Sequence, residues 1–413
     1  MSEQFDVLII GGGHGGTAAA MALRQCGFDG SVAIVSAEPS FPYQRPPLSK
    51  SYLAGEVALD RILIRPESFW AQNGITLLRG RRVDVVEPDT KVVITDTDDS
   101  IGYRHLIWAA GSTPRWLDCA RDKNLSGVHV VRTHSDTERL RIDVLNGSRA
   151  VVVGGGYVGL EVAAVLRKLG KSVTVLEAAD RVLARMSAEP ISHFYEAQHR
   201  AHGVDIRVCR EVVALETQNG RVSAVQLSTG EELPCDVVVI GIGAAPTAEP
   251  LIVAGATVGN GILVDAQCRT NLPDIYAIGD SAAAPNEYAG GAVVRLESLQ
   301  NAVDHGVIVA RHLAGEPHGE PAVPTFWSDQ YDLKLKTVGL THGYDTAVVR
   351  GDPDSKSFSV VYMRDGRVAA IDSVNVMKDF AQGRALVRSG AEIAPALLAD
   401  SSRPITDLLA ETR

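Results

Sequence analysis

A glycine-rich turn between an apolar strand and a helix occurs twice in this chain, and it constrains the fold more than any other feature. The first copy, VLIIGGGHGG, covers residues 7–16, and the second, VVVGGGYVGLE, covers residues 151–161. Each is followed by a helix-forming segment and a second apolar run, so each predicts a βαβ unit. Because the motif occurs only twice, and the two copies are separated by the length of a domain, it predicts two copies of a domain and not a solenoid.

The three glycines of each turn have separate mechanical roles. The first permits the tight turn, the second lets the backbone approach a pyrophosphate, and the third lets the helix pack on the strand. The helix N-terminus adds free N–H groups and partial positive charge. The alternative is a tight turn without a ligand. The nucleotide interpretation assigns Gly11, Gly13 and Gly16 to the first site, with His14 as a spacer in its loop, and Gly154, Gly156 and Gly159 to the second.

An acidic residue ends the strand that follows each turn. Glu38 and Glu177 are placed to accept hydrogen bonds from the ribose hydroxyls of an adenosine. A carboxylate at Glu177 repels a 2′-phosphate, which favours NAD(H) over NADP(H), although the nearby Arg181 weakens that preference. Two sites predict two dinucleotides, and the economical pair is a tightly held FAD and an exchanging NADH.

Composition and charge exclude several classes of protein. Apolar residues make up 45% of the 413 residues, as in ordinary globular chains, and roughly 100–200 residues per domain predict several domains. The net charge of −10 argues against a nucleic-acid binder. No apolar run has the roughly 20 residues of a membrane span, and the acidic N-terminus does not resemble a signal peptide, so we expect a cytoplasmic protein.

Cysteine and histidine spacing argues against a disulfide or a metal site. The five cysteines are scattered without CxxC spacing, and we expect five isolated thiols. His193, His199 and His202 lie close together but lack the spacing of metal ligands. We therefore predict no metal.

The remaining chain adds strands that end in glycine turns and a C-terminal part of different character. Residues 103–112, 235–246 and 274–280 read as buried strands that end in glycine or acidic turns, and 298–313 reads as a helix. From about residue 323, alternating strands with a turn at Asp365-Gly366 precede a helix at 379–390. The fold class is thus α/β, with two Rossmann-like dinucleotide-binding domains and a C-terminal α+β domain.

Eight motifs, taken in order, resemble one known family along the whole chain. They are GGGHGG (11–16), PYQRPPLSK (42–50), WAAGSTPR (108–115), GGGYVGLE (154–161), GIGAAPTAE (241–249), YAIGD (276–280), RLESLQNA (295–302) and FWSDQYDLKLKTVGL (326–340). The chain resembles the FAD-dependent, NADH-using ferredoxin reductases of the putidaredoxin reductase and aromatic-ring dioxygenase reductase type.

The resemblance implies a glutathione-reductase-like architecture in three parts. These are a split FAD-binding domain at 1–113 and 244–322, an NAD-binding domain at 114–243, and a C-terminal domain at 323–413 that covers the flavin. It also implies further cofactor contacts. For FAD they are His14, Gly15, Ala37, Glu38, Arg45, Lys50, Val83, Ala110, Gly111, Arg132, Asp280, Leu299 and Trp327, and for NAD they are Tyr157, Val158, Glu177, Gly241, Ile242 and Gly243.

Three of these contacts also have a physical interpretation of their own. The carboxylate of Asp280 ends a buried strand, where it is placed to accept a hydrogen bond from a ribityl hydroxyl. Leu299 offers a main-chain N–H at a helix start, where the helix dipole stabilises negative charge on reduced flavin. Trp327 is placed to stack on the isoalloxazine. The structural alternatives are a turn-forming Asp, an ordinary helix start and a buried aromatic residue.

Lys50 and Glu161 form the predicted catalytic pair. The resemblance implies that the Lys50 ammonium lies near flavin N5 and pairs with Glu161, so that the pair fixes geometry and charge while a hydride passes from NADH. The alternative for Lys50 is a solvated lysine at the end of a helix.

The resemblance implies electron transfer from NADH through FAD to a two-iron, two-sulfur ferredoxin that supplies a haem monooxygenase or a ring-hydroxylating dioxygenase. The open alternatives are a quinone, radical or rubredoxin acceptor, and a redox-sensing flavoprotein. The missing CxxC argues against a dithiol reductase, and Phe41-Pro42-Tyr43 stands where an NADH peroxidase needs a cysteine. The candidates for docking an acidic ferredoxin are Arg65, Arg295, Arg311, Lys334 and Lys336. The alternative is that these residues are ordinary surface charges. The oligomeric state stays open.

Overall fold

The structure, a computed structural model, describes residues 3–121, 125–317 and 322–410. The chain divides into two compact units. The first consists of Met1–Gln44, Leu59–Thr113 and Ala245–Pro324, and the second of Arg45–Ala58, Pro114–Ala244 and Thr325–Arg413. Each unit contains one of the two glycine-rich turns. The assignment of each cofactor to a domain stays a prediction.

The first part of the chain builds a mixed sheet. Its elements are β1 Glu3–Ile10, α1 His14–Gln25, β2 Val32–Ser36, α2 Glu67–Gln72, β3 Ile75–Arg79, β4 Val83–Glu87, β5 Val92–Thr95, β6 Ser100–Trp108 and β7 Ser112–Pro114, with 3₁₀ turns at Pro46–Ser49 and Leu59–Ile62. The strand order is β3-β2-β1-β6-β5-β4, in which β3, β2, β1 and β6 run parallel and the β6-β5-β4 pairings are antiparallel. The predicted strand–turn–helix–strand start is confirmed.

Strand β1 is buried on both faces. Val7 and Ile9 pack into one core together with helix α1, whereas Leu8 and Ile10 pack into a second core on the other side of the sheet. All four side chains are at most 5% exposed. A parallel strand that is covered on both faces needs a continuous apolar run, which explains why VLII precedes the glycines.

The second βαβ segment forms its own parallel sheet. Its elements are β8 Val128–His129, α3 His134–Asn146, β9 Arg149–Val153, α4 Tyr157–Lys168, β10 Ser172–Leu176, α5 Glu189–Ala201, β11 Val204–Arg207, β12 Val212–Gln218, β13 Arg221–Leu227, β14 Glu232–Pro234 and β15 Val237–Ile240. The parallel order is β11-β10-β9-β15-β8, and β12-β13-β14 form a separate antiparallel sheet. This confirms the second Rossmann-like fold.

The chain then returns to the first unit. Its elements there are β16 Ala244–Pro246, α6 Glu249–Val253, β17 Val258–Gly259, β18 Gly261–Leu263, β19 Ile275–Ala277, β20 Ala282–Pro285, β21 Val293–Val294 and α7 Leu299–Leu313. Strand β19 extends the first sheet by pairing parallel with β6. Helix α7 crosses α1 closely: a Cβ added at Gly306 would lie 2.6 Å from the carbonyl oxygen of Gly15. The predicted helix at 298–313 is confirmed.

The C-terminal part is antiparallel, as predicted. Its elements are β22 Thr325–Gln330, β23 Leu333–Gly339, β24 Thr346–Asp352, β25 Ser357–Arg364, β26 Arg367–Val374, α8 Met377–Ser389, α9 Pro395–Ala399 and α10 Ile405–Ala410, and the sheet order is β22-β23-β26-β25-β24. The predicted turn joins β25 to β26, and both Asp365 and Gly366 have positive φ. The sheet shares a core with the second βαβ segment, in which the rings of Phe194 and Phe358 lie 5.0 Å apart.

Candidate functional site

The first glycine-rich turn is closed by main chain at its first and third glycines and open at its second. Gly11 has a φ of +120°, and a Cβ there would lie 2.2 Å from the carbonyl oxygen of Ala109. A Cβ at Gly16 would lie 2.0 Å from the carbonyl oxygen of Gly11, whereas a Cβ at Gly13 would meet nothing within 4 Å. Gly13 is the N-cap residue of α1, and because it has no side chain it makes no side-chain capping hydrogen bond. The space beside Gly13 therefore fits a phosphate group that approaches the backbone at a helix N-terminus.

The second turn repeats this geometry. A Cβ at Gly154 would lie 2.4 Å from the carbonyl oxygen of Gly241, and a Cβ at Gly159 would lie 2.0 Å from that of Gly154. At Gly156 the nearest atom is the flexible Cε of Met186, 3.6 Å away. The structure thus brings Gly241 to the second turn, just as it brings the segment at Ala109 to the first.

The two predicted ribose acceptors are held in different ways. The hydroxyl of Tyr43 donates a hydrogen bond to Glu38, just beyond β2. Glu177 accepts main-chain hydrogen bonds from Gly155 at 2.6 Å and from Ala179 at 2.8 Å, so the second turn itself orients this carboxylate. Glu177 therefore lies at the glycine-rich turn of its own unit, and Glu38 lies two residues beyond the end of β2.

Arg181 is held by internal hydrogen bonds. Its guanidinium donates to the carbonyl oxygens of Ser187 at 2.7 Å and Ala184 at 3.1 Å, and to the hydroxyl of Ser192 at 2.6 Å. These bonds hold the guanidinium in the loop between β10 and α5.

Three predicted flavin contacts of the first unit lie at strand and helix ends. Asp280 follows β19 and accepts a hydrogen bond from the Ser112 hydroxyl at 3.0 Å. Leu299 is the first residue of α7, and the Ser298 side chain caps this helix by accepting from the N–H of Asn301. Val83 begins β4 and is 5% exposed. Ala110 and Gly111 follow β6 next to the first turn, and Ala37 follows β2.

The other predicted contacts belong to the second unit. The Arg45 guanidinium donates to the carbonyl oxygen of Arg132 at 2.7 Å, so these two residues meet. Trp327 lies on β22 with the ammonium of Lys336 5.5 Å from its ring centroid.

Ile242 and Gly243 directly follow β15 and Gly241. Tyr157 opens α4, and burial together with the charge of Asp372 raises its pKa, while Val158 is 42% exposed.

The predicted catalytic pair is formed. The Lys50 ammonium lies 2.7 Å from Glu161 Oε2, and the two side chains are 19% and 4% exposed. Lys50 directly follows the 3₁₀ turn Pro46–Ser49, and Glu161 lies in the second turn of α4. The Ser49 hydroxyl donates to the same carboxylate oxygen at 2.6 Å, and the Ser328 hydroxyl donates to the other at 2.7 Å. An ion pair this buried needs such additional hydrogen bonds to offset the desolvation of its charges.

The two hydroxyl groups that donate to Glu161, and the side chains behind them, were not predicted from the sequence. The Gln330 amide donates to the Ser328 hydroxyl at 3.0 Å, and His199 Nε2 lies 2.8 Å from Gln330 Oε1. Strand alternation in FWSDQYD was the available signal, because it places residues 328 and 330 on one face. Both His199 nitrogens have hydrogen-bond partners, since Tyr331 meets Nδ1 at 3.0 Å.

One candidate for docking is wrong. The Arg295 side chain is 7% exposed and pairs with Glu297 at 2.7 Å, so it is not a surface cation. Arg65 and Lys334 are exposed, and Arg311 and Lys336 are partly exposed. Within the described ranges, no helix combines the length and the apolarity required to cross a membrane.

Comparison with known proteins gives consistent matches. The family model described as pyridine nucleotide-disulphide oxidoreductase matches residues 5–306, and the model described as Reductase C-terminal matches residues 325–409. A ferredoxin–NAD(P)(+) reductase from Sphingomonas sp is 50% identical over 406 residues, which cover 98% of each chain. Putidaredoxin reductase from Pseudomonas putida is 38% identical over 418 residues, covering 100% of this chain and 99% of the relative.

Two solved structures support the same relationship. The crystal structure of the covalent putidaredoxin reductase–putidaredoxin complex matches with a TM-score of 0.95 and 37% identity over 99% of each chain. The ferredoxin reductase for the CYP199A2 system from Rhodopseudomonas palustris matches with a TM-score of 0.93 and 36% identity, covering 97% of this chain and 99% of that one.

Proposed function

The chain belongs to the pyridine nucleotide-disulphide oxidoreductase family, and from that premise we propose that it is a FAD-dependent NADH:ferredoxin reductase. Reductases of this family use FAD and NAD(P)H. The observation that carries the proposal is the pair of glycine-rich turns, in which main chain closes the first and third glycines while the second, Gly13 or Gly156, stays open for a pyrophosphate. The chemistry that a bound FAD would supply is the acceptance of two electrons as a hydride and their release one at a time.

The first unit supplies the polar groups for holding FAD. Glu38 binds the adenosine ribose, Asp280 accepts from a ribityl hydroxyl, and the N-terminus of α7 at Leu299 stabilises negative charge. Arg45, Arg132 and Trp327 are assigned to the same cofactor. The Ser298 cap supports this role, because it fixes the start of α7 and leaves main-chain N–H groups of that turn for a ligand.

Lys50 and Glu161 hold charge at the reacting end of the flavin. The paired carboxylate keeps the ammonium oriented, so no reorganisation is needed when negative charge develops beside it. Neither side chain needs to gain or lose a proton during hydride transfer. Their task is alignment and electrostatic stabilisation.

Glu177 makes NADH the preferred donor. Its two oxygens are oriented by main-chain N–H groups, so the carboxylate stands at the end of β10 as a fixed negative charge that repels a 2′-phosphate. The guanidinium of Arg181 is hydrogen-bonded within the neighbouring loop, so we assign it no contact with the nucleotide.

The proposed acceptor is a two-iron, two-sulfur ferredoxin that supplies a haem monooxygenase or a ring-hydroxylating dioxygenase. The similarity to a ferredoxin reductase, to putidaredoxin reductase and to the putidaredoxin reductase–putidaredoxin complex supports this acceptor. A rubredoxin is the second candidate, because a rubredoxin–NAD(+) reductase from Pseudomonas putida is 37% identical over 372 residues. We assign the protein to the cytoplasm, where NADH is available and where five free thiols persist.

Purified holoprotein distinguishes these acceptors. The yellow protein is mixed with NADH, cytochrome c and either a two-iron, two-sulfur ferredoxin or a rubredoxin from the same source. We expect cytochrome c reduction that depends on the ferredoxin. A colourless protein, or reduction that depends on rubredoxin alone, contradicts the proposal.

A further inference from the structure

Glu161 stands at the end of a chain of buried hydrogen bonds that the electron-transfer role does not by itself require. Beyond Ser328, the chain continues through Gln330 and His199 to Tyr331. Ser328 and His199 are 0% exposed and Gln330 is 1% exposed. These side chains come from β22 and its following turn and from α5, whereas Glu161 lies on α4. Three segments of the second unit therefore converge on one carboxylate.

The direction of every hydrogen bond in the chain follows from chemistry. A carboxylate in an ion pair only accepts, so Ser328 donates to Glu161 and its oxygen is left to accept from the Gln330 amide. The Gln330 carbonyl oxygen then requires a hydrogen on His199 Nε2, and the bare Nδ1 accepts from the Tyr331 hydroxyl. Burial lowers the pKa of His199 to about 4, in agreement with a neutral imidazole.

All four donors therefore point toward Glu161. Hydrogen bonds aligned in one direction polarise one another, and in a dry interior each adds to the stabilisation of the negative charge at the end. The chain does not conduct protons, because the Gln330 amide would have to pass through an imidic acid form. What the chain supplies is a fixed orientation of the Ser328 hydroxyl.

We propose that Gln330 and His199 are positioning residues, which orient Ser328 on Glu161 and so hold the Lys50–Glu161 ion pair in one geometry. This inference rests on the proposed function, because that function places the pair at the flavin. Lys50 and Ser49 secure one carboxylate oxygen, and the chain secures the other. With both oxygens fixed, the carboxylate cannot rotate away from the ammonium.

The test uses holoprotein reduced by NADH in anaerobic stopped flow. Gln330→Leu removes both the amide donor and the carbonyl acceptor, and Ser328→Ala removes the hydroxyl. Because a small misplacement at a hydride-transfer site costs as much as 10²-fold in rate, we expect the limiting rate of flavin reduction to fall about tenfold in both variants. The Kd for NADH should stay unchanged, and Ser328→Thr should restore the rate.

Ser359→Ala is the matched control. Ser359 is a buried serine of the same C-terminal sheet, and its hydroxyl is hydrogen-bonded to Ser373 and Asp379 instead of Glu161. Its substitution should lower stability while the rate of flavin reduction stays at the wild-type value. An equal loss of rate in Ser359→Ala contradicts the proposal, because the effect would then follow from a general loss of stability.

A second readout does not depend on activity. In the ¹⁵N spectrum of histidine-labelled holoprotein, the His199 signal is identified by its absence in His199→Gln. We expect a neutral ring with the proton on Nε2 in the wild type and a mixture of tautomers in Gln330→Leu. Suppose that NADH reduces the wild type, but that the Ser328 and Gln330 variants keep the wild-type rate of flavin reduction and the wild-type tautomer of His199. The inference then fails while the proposed function stands. If NADH does not reduce the wild type, the proposed function fails.

Discussion

At the scale of single residues, the glycines separate packing from ligand binding. A methyl group at Gly159 would lie 2.0 Å from a main-chain oxygen, whereas a methyl group at Gly156 would meet only the flexible end of Met186 at 3.6 Å. We expect Gly159→Ala to lower the melting temperature, because β9 and α4 must move apart. Gly156→Ala should keep the wild-type melting temperature and FAD content but raise the Kd for NADH about tenfold, because its methyl group enters the space for the pyrophosphate.

Thermal denaturation, flavin absorbance and NADH titration measure these effects. The two variants make the same chemical change three residues apart in one turn, so each serves as the control for the other. A wild-type Kd for NADH in Gly156→Ala would show that the pyrophosphate does not lie beside this glycine.

The charge of Glu177 sets the second prediction. Glu177→Gln removes the repulsion of a 2′-phosphate, and we expect the ratio of kcat/KM for NADPH to that for NADH to rise about tenfold, which corresponds to about 1.4 kcal/mol. Arg181→Gln is the control. Because Arg181 is committed to its own loop, this change should lower stability and leave the ratio unaltered. If Arg181→Gln changed this ratio more than Glu177→Gln does, the assignment of Glu177 as the residue that repels the 2′-phosphate would be contradicted.

The residues that sequence could predict are those whose role is local. Gly11 and Gly154 can be assigned because a strand, a turn and a helix adjoin them in the chain. Lys50 and Glu161 were paired through a family resemblance, and the structure confirms their contact at 2.7 Å. His199 was considered only as a metal ligand, because the sequence does not show that α5 brings it to β22.

At the scale of secondary-structure elements, the contact between α1 and α7 is the most demanding. A Cβ at Gly306 would lie 2.6 Å from the carbonyl oxygen of Gly15 and 2.8 Å from the nitrogen of Ala19. We expect Gly306→Ala to push the two helices apart, to lower the stability by about 1–3 kcal/mol and to weaken FAD binding, because α1 begins at the first glycine-rich turn. Denaturant unfolding and FAD titration of the apoprotein measure both effects. Wild-type values for both would contradict this packing.

Elements with strong apolar patterns or caps were predictable, and short exposed ones were not. The segment that begins at Ser298 reads as a helix from 298 to 313, and the structure has Leu299–Leu313 with Ser298 as its cap. Strand β12 was not predicted. Only one of its seven residues is buried, so it lacks the regular alternation of a half-buried strand.

At the scale of the whole molecule, one buried imidazole contributes to acid sensitivity. Burial lowers the pKa of His199 to about 4, compared with about 6.5 in the unfolded chain. Between these values the unfolded state binds a proton that the folded state does not, so stability is complete above pH 6.5 and falls as the pH drops toward 4. His199 alone should account for a loss of about 2 kcal/mol between pH 7 and pH 5.

Urea unfolding at the two pH values measures this loss. His199→Gln keeps a hydrogen-bond donor but cannot titrate, so its stability should fall less between pH 7 and pH 5 than that of the wild type. Equal decreases would show that His199 becomes protonated in the folded protein at these pH values.

Because the chain passes back and forth between the two units, segments that pair in the fold are synthesised at different times. Strand β6 receives its partner β19 only after Ala277 has been synthesised, and Arg45–Ala58 must wait for α4 of the second unit. During synthesis, β1 to β6 therefore emerge from the ribosome as a sheet with an open edge, while the whole second βαβ segment is still being translated. Because each unit is assembled from three separate stretches of the chain, neither unit can be produced by simple truncation of the gene.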